Sequence, residues 1–171
     1  MKKAVLYMMI MLLSQAGRAF SPDLQYYRLL MEQSQKSSQS ARTFYSHTRQ
    51  IQNSGHPTLL GYKAMAELMM CNHVYGPFNK LGYFNRGKKM LEQAIEKDRN
   101  NAELRFMRFC IQDNVPAILN YRDELAEDKD FLIRYLKKTA VQDKALHEQI
   151  RAYLLDHKLC SSNEKQTIKN L

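Results

Sequence analysis

Apolar residues recur along most of this chain at intervals of three and four, the spacing that lines one face of an α-helix. Leu24, Tyr27, Leu30 and Met31 form the first stripe, behind a start signal of Ser21, Pro22 and Asp23. Together they predict a helix over residues 22–36. The polar stretch Ser34 to Ser40 reads as a loop. Ala41, Phe44, Tyr45, Thr48 and Ile51 then define a second helix, stopped by the breaker cluster Asn53-Ser54-Gly55-His56-Pro57.

A third helix opens at Thr58. Leu59, Leu60, Ala64, Leu68 and Met69 make its main stripe, and Ala66 and Met70 extend it around further faces, so it is predicted to be central. The stretch Gly76 to Gly82 reads as a structured loop whose Phe78 and Leu81 pack inward. From Tyr83 a fourth helix carries Phe84, Gly87, Leu91, Ala94 and Ile95 inside, with Lys88, Lys89, Glu92, Gln93, Glu96 and Lys97 outside. A fifth runs through Leu104, Phe106, Phe109 and Cys110 to Asp113. A sixth is expected from Pro116 through Ile118, Leu119, Tyr121 and Leu125, and a seventh from Asp128 through Phe131, Leu132, Tyr135 and Leu136. An eighth spans about Asp143 to Leu155, and Ser161 with Glu164 three residues on is a capping box for a short terminal helix. No segment alternates as a strand with hairpin turns does. The fold class predicted is all-α, with antiparallel helical hairpins.

The first residues follow a different pattern. Met-Lys-Lys, an apolar run from Ala4 to Leu13, and the small-residue exit Ser14-Gln15-Ala16-Gly17-Arg18-Ala19 read as a secretory signal peptide. The run is about half of the roughly 20 apolar residues a membrane span requires. Cleavage is expected after Ala19, with Ala16 as the alternative. The organisation predicted is a signal peptide over 1–19, a helical domain over 20–160 and a C-terminal capping segment over 161–171. The product is then periplasmic or extracellular, without an integral membrane segment. Signal removal takes away Lys2, Lys3 and Arg18 and no acid, which lowers the net charge from +9 to +6.

Export changes how the remaining chemistry reads. Three cysteines, Cys71, Cys110 and Cys160, are an odd count that cannot form a complete disulfide framework. Cys71 and Cys110 lie on apolar faces and read as buried thiols, with a single bridge involving Cys160 as the alternative. A mildly basic product suits acidic partners or anionic envelope surfaces, as well as plain solubility.

One stretch carries a family likeness. Gly87-x-x-x-Leu91-x-x-Ala94-Ile95-Glu96-x-Asp98-Arg99-Asn100 resembles the second helix of a tetratricopeptide repeat, in which small residues let paired helices approach closely. Leu60-Gly61 resembles the Leu-Gly of such a repeat's first helix. The motif's turn Pro is replaced by Arg99, and the chain has no Trp. The resemblance implies hairpins stacked as a short tetratricopeptide-like array. The segment Asn79 to Lys89 also resembles an Asn-Lys-Leu-x-Tyr-Phe-Asn-x-Gly-Lys-Lys stretch of small exported bacterial proteins, a likeness that implies address and fold and names no chemistry.

Gly82 to Lys89 fits the phosphate-loop pattern G-x-x-x-x-G-K-[ST] except at its last position, where Lys89 stands in place of the hydroxyl that would hold Mg²⁺. Because Tyr83 and Phe84 belong to a helical stripe, the match reads as coincidence. Cys71-x-His73 and His157-x-x-Cys160 lack the third and fourth ligands a metal needs. Glu124, Glu127, Asp128 and Asp130 read as helix caps and solvated surface. No catalytic residue, metal site or cofactor is assigned, and no nucleic-acid module is recognised. The function expected is protein–protein interaction in the cell envelope with an unknown protein or peptide, through Phe78, Tyr83, Arg86, Lys88 and Lys89. The alternatives are a small exported hydrolase drawing on His73, Glu67 and the basic cluster, and a self-associating structural protein.

Overall fold

The computed structural model describes residues 23–51, 56–138 and 143–171. The expected signal peptide and its cleavage site, with Ser21 and Pro22, lie outside the described residues. Within them the chain is all-α, with eight α-helices and one short 3₁₀ turn.

Helix α1 is Leu24–Ser34 and α2 is Ser38–Arg49. The cap of α1 is Asp23, whose carboxylate accepts from the Tyr26 amide at 3.2 Å. The polar stretch after it is mostly helix rather than loop. Ser37 caps α2 by accepting from the Ser40 amide at 3.1 Å, which leaves a three-residue link.

Helix α3 is Pro57–Met70 and α4 is Pro77–Lys97. As its all-round apolar sequence predicts, α3 is central: it touches α1, α2, α4 and α5. Its main partner is α4, and the two run antiparallel with their backbones close together. A Cβ added to Gly87 would lie 2.6 Å from Leu68 Cγ and 2.9 Å from the Ala64 carbonyl oxygen. One added to Gly61 would meet Leu104 Cδ2 at 2.3 Å. The small residues singled out in the sequence therefore stand where a neighbouring helix leaves no room for a side chain.

Helix α4 starts six residues earlier than its stripe predicted, at Pro77 instead of Tyr83. Gly76 caps it at φ +83°, the left-handed region that glycine enters at little energetic cost. Phe78 and Leu81 point outward, contrary to expectation. Register supplies the reason. With Gly87 level with Ala64 and Leu68, Met70 falls level with about Tyr83, so the first turns of α4 overhang the end of α3 and have no helix to pack on.

Helix α5 is Ala102–Asn114, α6 Leu125–Leu136, α7 Lys144–Asp156 and α8 Ser162–Lys169. The helix expected from Pro116 is only the 3₁₀ turn Ala117–Leu119. Pro116 is extended, Asn120 turns left-handed at φ +43°, and Ile118 is exposed. Tyr121 is nevertheless buried, edge-on to Phe84. Asp143 caps α7, and the capping box of Ser161 and Glu164 forms as its sequence predicts.

Two apolar cores result. The first gathers Phe44, Tyr62, Leu68, Leu91 and Ile95 from α2 to α4, and the second gathers Phe109, Leu132, Ile150, Leu154 and Ile168 from α5 to α8. Helix α5 belongs to both, giving Leu104 and Met107 to the first and Ala102, Phe106 and Phe109 to the second.

Candidate functional site

The five residues expected to bind a partner all lie on α4, but helical geometry sends them three ways. At 100° per residue, Phe78 and Lys89 fall on nearly the same line, Arg86 and Tyr83 lie round one flank, and Lys88 lies round the other. Phe78 and Lys89 are exposed on the outer ridge. Lys88, expected outside, is half-buried with its ammonium 4.5 Å from the centre of the Tyr121 ring.

Tyr83 and Arg86 are brought together. The Arg86 guanidinium sits 4.5 Å from the centre of the Tyr83 ring, and its Nε donates to Glu67 Oε2 at 3.0 Å. Glu67, on α3, also accepts from the Tyr45 hydroxyl at 3.2 Å. Tyr45 meets Tyr83 edge-to-face at 5.9 Å, and Arg49 lies 6.0 Å from the Tyr45 ring centre. Burial, with the Glu67 charge next, pushes the Tyr45 phenol above its usual pKa. The outcome is a surface spanning α2, α3 and α4 in which two tyrosines are each capped by an arginine. Arg86 keeps 52% of its side chain exposed. Arg42, three residues before Tyr45 on α2, is exposed as well. Sequence reasoning missed Tyr45, Arg49 and Glu67 as members. The spacing of Arg42, Tyr45 and Arg49 was a usable signal, but only the α2–α3–α4 packing joins it to Arg86.

The hydrolase reading drew on Glu67 and His73. Both Glu67 oxygens are engaged as described, and His73 lies in the turn after α3. The phosphate-loop pattern falls wholly inside α4, where backbone amides bond within the helix and Gly87 is pressed against α3.

Three polar clusters lie elsewhere. In the first, Glu103 accepts from Arg28 Nε and Nη2 at 2.7 and 2.9 Å and from the Tyr62 hydroxyl, while Asp143 also binds Arg28 at 2.7 Å. Burial raises the Tyr62 phenol's pKa, with Glu103 adding to it.

In the second cluster, Asp128 is fully buried, contrary to the cap or surface role expected of it. Leu125 starts the helix three residues earlier and turns Asp128 onto α5, where Arg105 and Arg108 hold it at 2.7 to 2.9 Å. Burial alone would pull the Arg108 guanidinium's pKa down. Its bonds to Asp128 and Glu92 outweigh that and hold it above its usual range.

The third cluster comes nearest to a catalytic constellation, because Cys110, Asp113, Tyr153 and His157 meet between the ends of α5 and α7. His157 Nε2 lies 2.5 Å from Asp113 Oδ2, and its Nδ1 accepts from the Leu159 amide at 3.1 Å. Both imidazole nitrogens are thereby engaged within the cluster. Burial pushes the Cys110 thiol up to about 12, away from thiolate chemistry. Tyr153 stacks on His157 at 5.3 Å. The arrangement works as a clasp between helices.

All three cysteines are free thiols, with Cys160 buried and the other two half-buried. Among the described residues, no three His, Cys, Asp or Glu side chains gather as a metal site would require. An open depression of about 310 Å³ between α6 and α8 is lined by Asp130, Ile133, Arg134, Lys137, Asn163 and Glu164, a mixed-charge surface. No described helix is long and apolar enough to cross a membrane. No protein-family model, curated protein or solved structure matches the chain.

Proposed function

We propose that this protein is an exported, non-catalytic interaction module of the cell envelope, built from tetratricopeptide-like helical hairpins, which docks an acidic segment of another envelope protein. The observation that carries the reading is the fixed surface of Tyr45, Tyr83, Arg49 and Arg86 across α2 and α4. Tyrosine and arginine are enriched where interfaces concentrate their binding energy. Here the rings are already locked by Glu67 and by each other, so little side-chain freedom is lost on binding. Arg42, Arg49 and Arg86 give the surface its sign and select a partner carrying carboxylates.

Further support comes from the clusters that resemble catalytic sites, each of which is closed by its own internal partners. The repeat-like reading draws on Gly61 and Gly87, where a neighbouring helix leaves no room for a side chain. The address draws on the signal-like pattern of residues 1–19, for which the exported chain should begin at Phe20 by intact mass.

Site-specific photo-crosslinking in the producing cell tests the binding surface. A photoreactive side chain in place of Arg42 should give a discrete adduct with an envelope protein, and combining it with Arg86→Glu should remove that adduct. The same group in place of the exposed Glu148 on α7 should give none. If position 42 yields no adduct above position 148, the reading fails.

A further inference from the structure

Tyr75, Phe78 and Leu81 surround the start of α4 and are 94%, 88% and 44% exposed, although each is a large, mainly apolar side chain. They are held there by a defined turn. Gly76 takes its positive φ, Pro77 sets the first helical position, and the Asn79 side-chain amide donates to the Tyr75 carbonyl at 2.9 Å. Side chains in a helix lean toward its N-terminus, so the first turn of α4 projects Phe78 along the overhang beyond α3.

Rings exposed to this degree have no walls around them. They cannot enclose a peptide or a small molecule, which needs concave surroundings. They can enter a medium that surrounds them. The charge nearby specifies which medium: from Asn72 to Leu91 the chain carries Lys80, Arg86, Lys88 and Lys89 and no acid, and the positive end of the α4 dipole lies at the same tip. A second copy presenting the same patch would oppose like charges.

We infer that the start of α4 is a membrane-docking element, with Tyr75, Phe78 and Leu81 entering the headgroup–acyl boundary of an anionic bilayer while Lys80 contacts its phosphates. This goes beyond the protein-docking reading and uses a different surface, since the arginine-capped tyrosines lie on the flank of α4 and the docking element lies at its tip. The bilayer would hold the module at the envelope surface, and the flank would select its protein partner.

The chain contains no tryptophan, so a single one introduced by Phe78→Trp reports that position alone. With the full chain and vesicles of phosphatidylglycerol and phosphatidylethanolamine, its emission should shift to the blue and be quenched by brominated acyl chains. Vesicles of phosphatidylcholine alone should produce neither effect. Adding Lys80→Gln should weaken the response to anionic vesicles about fivefold, at about 1 kcal/mol for a cation near the surface. Because the apolar run Ala4–Leu13 could itself take the chain to lipid, Leu29→Trp, on an exposed position of α1, provides a second reporter and should not shift.

Three results would overturn the inference. One is an unshifted reporter at position 78 while the chain co-sediments with anionic vesicles. Another is an equal response to neutral vesicles. The third is a shift without lipid, whether it grows with protein concentration, which would assign the tip to a second copy, or follows addition of lipid-free envelope proteins, which would assign it to a partner's pocket. The crosslink at position 42 is read separately, so either proposal can fail while the other stands.

Discussion

The two hairpins flanking the centre of the molecule, α3–α4 and α5–α6, hold antiparallel helices together by opposite means. In α3–α4 the backbones meet with glycine between them, Gly87 lying against Leu68 and the Ala64 carbonyl, and the seam is apolar except for the Arg86–Glu67 pair at its half-exposed edge. In α5–α6 the seam contains a carboxylate, Asp128, fully buried between Arg105 and Arg108. The first seam is defined by shape and should tolerate changes of charge or salt while rejecting added volume. The second is defined by charge balance, and what it should reject is the loss of one partner. Substitutions that separate shape from charge test this contrast.

The largest effect is expected at Asp128. Replacing it with Ala leaves two largely buried guanidinium groups without their shared carboxylate, and breaking a buried pair from one side destabilises a fold by about 3–5 kcal/mol. Glu92 and Glu127 still reach Arg108 and Arg105, which puts the expected loss at the lower end of that range, about 3 kcal/mol. Urea denaturation of wild type and Asp128→Ala at neutral pH measures it. A sharper form of the test replaces all three groups together, as Asp128→Leu, Arg105→Met and Arg108→Leu. Exchange of an ion cluster for apolar residues of similar volume is often close to neutral, so the triple variant should regain most of the loss. If Asp128→Ala unfolds at the wild-type urea concentration, the seam is apolar after all and the contrast disappears.

A smaller effect is expected at the glycines. Gly87→Ala places a methyl group 2.9 Å from a backbone oxygen and 2.6 Å from the branch carbon of Leu68, and the backbone oxygen cannot move without shifting α3. Overpacking of this kind costs about 1–3 kcal/mol, while alanine returns up to about 1 kcal/mol of helix propensity, so a net loss of about 1–2 kcal/mol is expected. Gly61→Ala meets the closer contact, 2.3 Å, but with the movable end of Leu104. Its net loss should be below about 1 kcal/mol. Thermal unfolding of the two variants side by side ranks them, and the reverse order would mean that Leu104 is held more rigidly than the backbone of α3.

The sequence made one of these seams readable and concealed the other. Glycine at a packing position inside an apolar stripe has few explanations besides close approach, so Gly87 announced the α3–α4 contact, as the all-round apolar character of α3 announced its central place. Asp128 gave no such notice. An acid in a run with Glu124, Glu127 and Asp130 looks solvated until a partner helix brings arginines to it, and Arg105 and Arg108 lie about 20 residues away on a helix whose stripe was defined by its apolar residues. Local signals also failed at Phe78 and Leu81, where side-chain type suggested burial. Burial depends on a neighbour being present, and the register of α3 against α4 leaves none. The candidate interface was readable in part for the same reason: Tyr83 and Arg86 are close in sequence, whereas Tyr45, Arg49 and Glu67 join them only through packing.

The smallest effect separates burial from chemistry. Lys129 on α6 binds Glu164 on α8 at 2.8 Å, an ion pair of the same kind as the Asp128 cluster, but Glu164 keeps 27% of its side chain exposed. The hydrogen bond from Lys129, and next the Ser161 backbone amide, hold its carboxyl down to about 2. A carboxylate depressed in the folded state contributes stability above its unfolded pKa, about 4.3, and loses it as the pH falls toward the folded value. With water screening the pair, that contribution should stay below about 1 kcal/mol. Glu164→Gln should therefore be slightly less stable than wild type at pH 7, and the difference should narrow steadily from about pH 5 downward. Urea midpoints across that range provide the measurement. A loss at pH 7 as large as that of Asp128→Ala would show that the charge itself, and not its removal from water, makes the α5–α6 seam dependent on its ion cluster.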